Sequence, residues 1–164
     1  GKSQHAEAVA RRLAVGGRVT YVATGTVVDA EHRLRVERHR ARRPEHWTTI
    51  ECPDADLASA IIDLEGVVLI DSLGSWVAGH LGESLDAQAF AAGLVGRRDP
   101  SVVVSDEVGW SVHPPTAIGR DFIDVLGATN QAVAAVADVV HLVVAGRVLS
   151  LPPAASGLAE FGPC

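Results

Sequence analysis

The apolar residues of the chain follow two spacings, one typical of helices and one typical of buried strands. Helical spacing, with apolar residues three and four positions apart, predicts helices over 3–14, 54–64, about 84–96 and 115–138. Gly16 and Gly17 end the first of these helices, and an interruption of the last is expected near Gly127. The polar segment 29–44 predicts an exposed helix, or a helix and a loop, that ends at Pro44.

Short apolar and β-branched runs separate these helices and predict strands at 18–24, 47–51, 66–71, 101–107 and 139–146. Runs such as "GVVLID" are typical of parallel strands buried on both faces. The strand at 139–146 is expected to be buried as well, and 147–151 is expected to return beside it as a hairpin. Strands that alternate with helices predict an α/β fold with a mainly parallel sheet covered on both sides. We expect one domain over 1–151 and a flexible tail at 152–164.

Composition and charge argue against several classes of function. The chain has 164 residues, of which 48% are hydrophobic, and its net charge of -6 argues against general binding to nucleic acids or anionic membranes. No apolar run reaches the roughly 18 residues that a membrane span needs. Cys52 and Cys164 form neither a metal-binding pattern nor a disulfide framework. These features are typical of a cytoplasmic enzyme domain.

The segment Gly1-Lys2-Ser3 comes directly before the first helix, as the end of a phosphate-binding loop does. Lys2 is the single lysine in a chain with 13 arginines. In such a loop the lysine contacts the phosphates and the hydroxyl of the serine ligates Mg²⁺. An acid at the end of a buried strand holds the metal as well, and Asp71 fits this description. Chance placement of the lysine and helix capping by Asp71 are the alternatives.

Ligands of α/β folds bind at the carboxyl ends of the strands. Three groups of residues follow predicted strands directly: Ala23-Thr24-Gly25, Asp71 and Asp106-Glu107. The loop "SDEVGWSVHPP" that contains the third group is expected to be rigid, either at the binding edge or as a plain connection. We assign no role to Asn130 and Gln131.

Six arginines lie between positions 33 and 43, together with His39, in a chain that is acidic overall. This cationic cluster predicts a polyanionic ligand such as a triphosphate, and a solvated helix face is its alternative. Nearby positive charge favours the neutral form of His39. A neutral imidazole beside a phosphate is a nucleophile, so His39 is a candidate nucleophile as well as a candidate surface residue.

The motifs resemble those of one family in order and spacing over residues 1–151. They are "GKSQHAEAVA", "YVATG", "RVERHRARRPEHW", "TIE", "VLIDSLGSWV", "DEVG" and "RDFIDVLGATNQAVAAVADVVHLVVAGRVLSL". These segments are similar to the bifunctional adenosylcobinamide kinase/adenosylcobinamide-phosphate guanylyltransferases of cobalamin biosynthesis. The resemblance implies a RecA-like P-loop NTPase fold and a homotrimer. It also implies phosphorylation of adenosylcobinamide by GTP or ATP, and then GMP transfer from GTP to the adenosylcobinamide phosphate.

The resemblance also implies roles for individual residues. His39 matches the family histidine that carries GMP covalently. The residues that match the GTP contacts are Gly1, Lys2, Ser3, Ala23, Thr24, Gly25, Arg40, Ala41, Arg42, Arg43, Glu51 and Asp71. Ser3 and Asp71 would hold Mg²⁺.

The chain departs from the family pattern in two respects. The family loop reads G-G-x-R-S-G-K-S after an initial strand, and the printed sequence begins at its last three residues. We therefore expect the first strand and most of the P-loop to be missing from it, and triphosphate binding by this chain to be poor. Asp106 stands where the family commonly has Asn, and Ser72-Leu73-Gly74 where it commonly has Cys-Leu-Thr. Both changes concern the kinase acceptor site.

Three alternative functions stay open at this point. An enzyme with guanylyltransferase activity alone would lack the kinase reaction. A nucleotide-binding regulatory module would bind GTP without turnover or a covalent adduct. A nucleic-acid-binding module has weaker support, because it rests on one arginine cluster in an acidic chain.

Overall fold

The computed structural model describes residues 1–25, 40, 43–52, 55–110 and 112–153. His39, Ala41 and Arg42 lie outside the described residues, as does most of the segment 29–44. In chain order the elements are α1 (Lys2–Ala14), β1 (Val19–Ala23), β2 (Thr48–Glu51), α2 (Leu57–Ile62), β3 (Val67–Asp71), α3 (Leu73–Gly79), α4 (Ala87–Gly96), β4 (Ser101–Val104), α5 (Ala117–Val136), β5 (Val140–Val144) and β6 (Arg147–Leu151). This alternation of strands and helices confirms the α/β class.

Four of the strands form a parallel sheet in the order β2-β1-β3-β4. Ala23 at the end of β1 pairs with Glu51 on one side and with Asp71 on the other. The carboxyl ends of three neighbouring strands therefore lie side by side. The sheet and its flanking helices are consistent with a P-loop NTPase fold. β5 and β6 form a separate antiparallel hairpin, as expected from the sequence.

The two faces of the sheet pack against different helices, because side chains alternate along each strand. Val19, Tyr21 and Leu69 share one buried cluster with Ala6 and Ala10 of α1. The opposite face packs against α2, α3, α4 and α5. The fully buried residues of this second cluster, on strands and helices, are Val22, Leu57, Ile61, Val68, Ile70, Leu73, Trp76, Val77, Phe90 and Leu126. Two hydrophobic layers thus fix the sheet between α1 and the remaining helices.

Three sequence predictions about the elements were incomplete or wrong. Helix α3 was not predicted; it begins after Ser72, whose hydroxyl oxygen accepts a hydrogen bond from Ser75 N. Helix α5 runs through Gly127 without interruption, since a glycine lowers helix stability without preventing the helix. The predicted burial of the strand at 139–146 is wrong, because Val144 in β5 is half exposed. No helix in the described ranges is long and apolar enough to cross a membrane.

The buried guanidinium of Arg97 binds three backbone carbonyls between α2 and β3. It donates hydrogen bonds to the carbonyl oxygens of Ile61, of Leu64 at 2.9 Å and of Gly66 at 2.8 Å. These carbonyls lie at the end of α2 and in the turn that leads into β3. Carbonyl oxygens at a helix end lack donors within the helix, and burying them without a hydrogen bond costs free energy. The buried guanidinium supplies the missing donors.

We expect Arg97→Leu to lower the free energy of unfolding by about 2–4 kcal/mol, because it leaves buried carbonyl groups without their donor. Chemical denaturation monitored by circular dichroism measures this change. The neighbouring Arg98 is exposed and provides the matched control Arg98→Leu, with an expected change below about 0.5 kcal/mol. Equal effects of the two substitutions would contradict the assigned role of Arg97.

Candidate functional site

The beginning of α1 presents backbone N–H groups and two polar side chains at the carboxyl end of the sheet. Gly1 is the N-cap residue and makes no side-chain capping bond, whereas α2, α3, α4 and α5 each have one. Lys2 is half exposed, and its Nζ lies 2.5 Å from Asp106 Oδ1. Ser3 is partly buried in the same turn. A helix N-terminus with a lysine and a hydroxyl is suited to bind an anion.

The carboxylate of Asp71 is held at the end of β3 by a tyrosine. Tyr21 Oη donates a hydrogen bond to Asp71 Oδ2 at 2.8 Å. The Arg43 guanidinium carbon lies 3.3 Å from the centroid of the Tyr21 ring, and Arg43 also donates to Thr49 Oγ1 at 2.9 Å. Asp71, Tyr21 and Arg43 therefore form a connected chain of contacts from the sheet end to the segment that follows the arginine cluster.

Burial sets the electrostatics of this chain of contacts. Burial raises the pKa of Tyr21 above its ordinary value, and the charge of Asp71 raises it further. The phenol consequently stays protonated and remains a donor to the carboxylate. Burial lowers the pKa of Arg43, while the nearby Tyr21 and the buried Glu7 of α1 act in the opposite direction.

The residues after β1 and at the end of β2 complete this edge of the sheet. The Thr24 hydroxyl is buried and donates to the Ser72 carbonyl at 2.6 Å. Cys52 N donates to the Ala23 carbonyl at 2.9 Å, which holds the end of β2 against β1. Glu51 and Gly25 are exposed. The structure thus brings Ala23, Glu51 and Asp71 together by strand register, with Thr24 joined to the residue after Asp71.

The loop after β4 brings the carboxylate of Asp106 to Lys2. The carbonyl oxygen of Asp106 accepts a hydrogen bond from Asn130 Nδ2 at 3.0 Å, and Asn130 Oδ1 accepts one from Ser105 at 2.5 Å. A Cβ atom built on Gly74 would lie 2.5 Å from Asp106 Oδ2. The two departures from the family pattern near the kinase site, at positions 74 and 106, are therefore in contact with each other.

Two arginines and one tryptophan are among the residues that line a separate cleft of about 480 Å³. Its lining residues are Arg40, Arg43, Pro44, Glu45, Trp47 and Thr49. Its volume suits a nucleotide-sized ligand, and its two arginines favour an anionic one. Arg43 belongs both to this cleft and to the chain of contacts that ends at Asp71. Arg40 is exposed at the cleft.

Among the candidate site residues, Ser3 and Asp71 carry oxygen atoms that could coordinate a metal ion. No cluster of three or more His, Cys, Asp or Glu side chains that could hold a metal occurs within the described ranges. A hydroxyl and one carboxylate still fit Mg²⁺, which prefers oxygen ligands and commonly keeps waters and substrate phosphates in its coordination shell.

Sequence reasoning missed Tyr21 and Asn130 as site residues. Tyr21 lies within an apolar run that predicts a strand. The alternation of side chains along the strands is the one pattern that could have placed Tyr21 on the same face as Asp71 and so indicated their hydrogen bond. Asn130 is 24 residues away from Asp106 along the chain. No local pattern indicates a contact of that kind.

Two histidines connect α1 to the hairpin. His5 Nε2 lies 2.9 Å from His141 Nδ1, and the rings meet edge to face. Burial lowers the pKa of His5, and the neighbouring His141 and Arg12 lower it further. The neutral form of His5 is therefore favoured in the folded protein.

The family model described as "Cobinamide kinase / cobinamide phosphate guanyltransferase" matches residues 1–151. The bifunctional adenosylcobalamin biosynthesis protein CobU of Escherichia coli (strain K12) is 33% identical to this chain over 167 residues, covering 89% of this chain and 91% of that protein. The protein of the same name from Salmonella typhimurium is 32% identical with the same coverage. The bifunctional adenosylcobalamin biosynthesis protein CobP of Pseudomonas aeruginosa is 34% identical over 162 residues, covering 92% of this chain and 91% of that protein.

We expect mild acid to destabilise the contact between α1 and the hairpin. Because the pKa of His5 is lower in the folded protein, the unfolded chain binds a proton there at higher pH. The contribution of His5 to stability is present above about pH 6.5 and is lost as the pH falls below that value. The free energy of unfolding of His5→Gln should therefore decrease less than that of the unsubstituted protein between pH 7.5 and pH 5.

The exposed His113 supplies the matched control for this measurement. His113→Gln should keep the pH dependence of the unsubstituted protein. An identical pH dependence for His5→Gln and the unsubstituted protein would show that the histidine pair does not respond to pH as inferred.

Proposed function

The chain belongs to the cobinamide kinase/cobinamide phosphate guanyltransferase family, and we propose that its second reaction proceeds through a GMP–histidine intermediate on His39. Family membership makes the chain an enzyme of cobalamin biosynthesis with cobinamide kinase and cobinamide phosphate guanylyltransferase activity. The relatives are named for adenosylcobalamin, which supports the adenosylated forms of the two acceptors as its substrates. The resemblance supports a cytoplasmic homotrimer.

The observation that carries the proposed site is the convergence of the α1 N-terminus and the end of β3. α1 packs on β3 and β4, and Asp71 lies on the same face of β3 as the residues that contact α1. In the kinase reaction Lys2 would contact the terminal phosphates of the nucleotide as a point charge. The acceptor hydroxyl oxygen bonds to the γ-phosphorus, and the nucleoside diphosphate leaves.

In the guanylyl transfer, the neutral imidazole of His39 would attack the α-phosphorus of GTP. A nitrogen–phosphorus bond forms, the bond to the bridging oxygen breaks, and pyrophosphate leaves with the electron pair. A phosphate oxygen of adenosylcobinamide phosphate then displaces the imidazole and gives adenosylcobinamide-GDP. Two displacements replace one difficult transfer, which is the general advantage of covalent catalysis.

The arginines after His39 support this assignment. Arg40 and Arg43 line the cleft, and Arg43 is fixed by its contacts with Tyr21 and Thr49. Arg43 Nε is buried and has no hydrogen-bond partner among the residues that the structure describes. Guanidinium groups held in this way would neutralise phosphate charge near the point of attack. Ala41 and Arg42 lie outside the described residues and keep their proposed GTP contacts from the resemblance alone.

The side chains of Ser3 and Asp71 would hold Mg²⁺ in both reactions. The ion supplies neutralisation of phosphate charge when it is bound. Tyr21 restricts the orientation of the Asp71 carboxylate by occupying Oδ2, which leaves Oδ1 for the ion or its waters. Thr24, Gly25 and Ala23 would line the same edge, and Glu51 would accept hydrogen bonds from the guanine.

We expect the protein to gain the mass of GMP after incubation with Mg²⁺ and an excess of GTP, which compensates for the poor triphosphate binding expected from the sequence. The adduct should be acid-labile, because it is a phosphoramidate, and it should be absent from His39→Ala. Intact mass spectrometry measures both properties. His46→Ala removes an exposed histidine nearby and should keep the adduct.

An adduct that persists in His39→Ala would contradict the assignment of this residue. GTP bound without an adduct or turnover would favour a regulatory module instead. GMP transfer without phosphorylation of adenosylcobinamide would indicate guanylyltransferase activity alone.

We expect Tyr21→Phe to raise the Mg²⁺ concentration for half-maximal activity by about three- to tenfold, because Asp71 loses the donor that orients it. The ring that contacts Arg43 is retained in this variant. Activity titrated against Mg²⁺ at saturating GTP gives the comparison. Thr49→Val removes the other partner of Arg43 and should leave the Mg²⁺ dependence unchanged; a shift in Thr49→Val alone would refute the role of Tyr21.

A further inference from the structure

We propose that the loop after β4 binds the corrin ring of the acceptor through Trp110 and Val112, an assignment that rests on the proposed function. Three large apolar side chains between the end of β4 and the first turn of α5 are mostly exposed. They are Trp110, Val112 and Ile118, with exposed fractions of 72%, 91% and 62%. Tryptophan is highly buried on average, and a group of exposed apolar side chains on one segment is typical of a binding surface.

Helix α5 holds this loop at both of its ends. At the start of the loop, Asn130 Nδ2 donates a hydrogen bond to the Asp106 carbonyl oxygen at 3.0 Å. At its end, Arg120 Nη1 donates to the carbonyl oxygens of Pro114 and Pro115, each at 3.2 Å. The exposed apolar side chains are therefore carried on a loop whose ends are fixed, so a ligand that binds them pays little conformational entropy for ordering the backbone.

The residues that lead up to Trp110 are anchored without the help of its ring. Val108 packs against the hydrophobic cluster that contains Phe90 and Leu126. Gly109 N donates a hydrogen bond to Glu107 Oε1 at 2.9 Å. The indole of Trp110 is thus not needed to hold the loop, and we expect its substitution to leave the fold intact.

The loop lies at the end of the sheet opposite the arginine cleft. In the strand order, β2, whose Thr49 lines that cleft, is at one end and β4 is at the other. Lys2 Nζ lies 2.5 Å from Asp106 at the start of the loop, so phosphates bound by this lysine in place of the carboxylate would lie beside the loop. Trp110 follows Asp106 by four positions, which limits the distance between their Cα atoms to about 14 Å. An acceptor whose hydroxyl meets the terminal phosphate would therefore have its larger part within reach of Trp110.

The chemistry of the acceptor matches this surface. The corrin ring of cobinamide is a broad conjugated ring, and the hydroxyl that is phosphorylated lies at the end of a flexible side arm. Such a ring buries apolar area against an indole and a valine side chain. Adenosylcobinamide also carries a net positive charge, which suits the exposed carboxylate of Glu107 and the face of the Trp110 ring. A protein partner has no need of a surface that begins beside the phosphate-binding lysine, whereas the acceptor has to bind there.

The test is the KM for adenosylcobinamide in the kinase reaction, measured at an excess of nucleotide and Mg²⁺. We expect Trp110→Ala to raise this KM about tenfold or more with kcat unchanged, because it removes acceptor binding without touching the reacting groups. Trp110→Phe keeps an aromatic ring and should stay within about threefold of the unsubstituted protein. Val112→Ser should raise the KM about three- to tenfold. The matched control is Val95→Ser, at an exposed position near the end of α4, which should leave the KM unchanged.

The GMP adduct on His39 forms without the acceptor and gives a second readout. Trp110→Ala should form this adduct from GTP to the same extent as the unsubstituted protein, which shows that the variant is folded and binds the nucleotide. An unchanged KM for adenosylcobinamide in Trp110→Ala would overturn the assignment and leave the proposed function intact. So would a loss of the adduct, or a smaller assembly in sedimentation, which would make the loop a contact between subunits. An unsubstituted protein that forms the adduct but does not phosphorylate adenosylcobinamide would overturn the kinase half of the proposed function and this assignment with it.

Discussion

The in-register pairing of β1 and β3 is the constraint on which the rest of the site depends. It places Ala23 opposite Asp71 and turns Tyr21 toward the same face as the aspartate. A shift of one residue would direct Asp71 to the opposite face, away from α1 and its lysine. The apolar residues of β3 fix the register, because both faces of that strand are buried. The position of the proposed site residues is thus determined by packing several residues away from them.

The buried Tyr21 connects Asp71 at the end of β3 with Arg43 at the cleft. The phenol of Tyr21 contacts the Asp71 carboxylate with its oxygen and the Arg43 guanidinium with its ring face. A tyrosine is suited to this position because its ring packs in the core while its hydroxyl satisfies a polar partner. A phosphate that displaces Arg43 would therefore also change the contacts of Tyr21, and through them the surroundings of Asp71. This coupling follows from contact geometry and needs no large conformational change.

Sequence patterns were sufficient to predict the strands and most helices, because the apolar residues of buried parallel strands and amphipathic helices follow recognisable spacings. The helix that begins at Leu73 was not predicted because it is short and only Asp71 and Ser72 separate it from the apolar residues of β3. The exposure of Val144 escaped for another reason: an apolar run indicates a strand, and the residues that cover it are determined by tertiary structure. Gly1, Lys2, Ser3 and Asp71 could be proposed as site residues from the sequence because each belongs to a local motif. Asn130 was not, because its role exists only through a contact distant in sequence.

The ion pair of Lys2 with Asp106 brings together two residues with opposite preferences for phosphate. A lysine suits the phosphates, since its compact ammonium group contacts them without the planar geometry that an arginine requires. A carboxylate beside the same lysine opposes phosphate binding, so a phosphate has to replace Asp106 in order to bind at Lys2. Exposed ion pairs are weak, so this replacement costs little free energy. Gly74 belongs to the same arrangement, because a side chain at position 74 would displace the carboxylate that contacts Lys2.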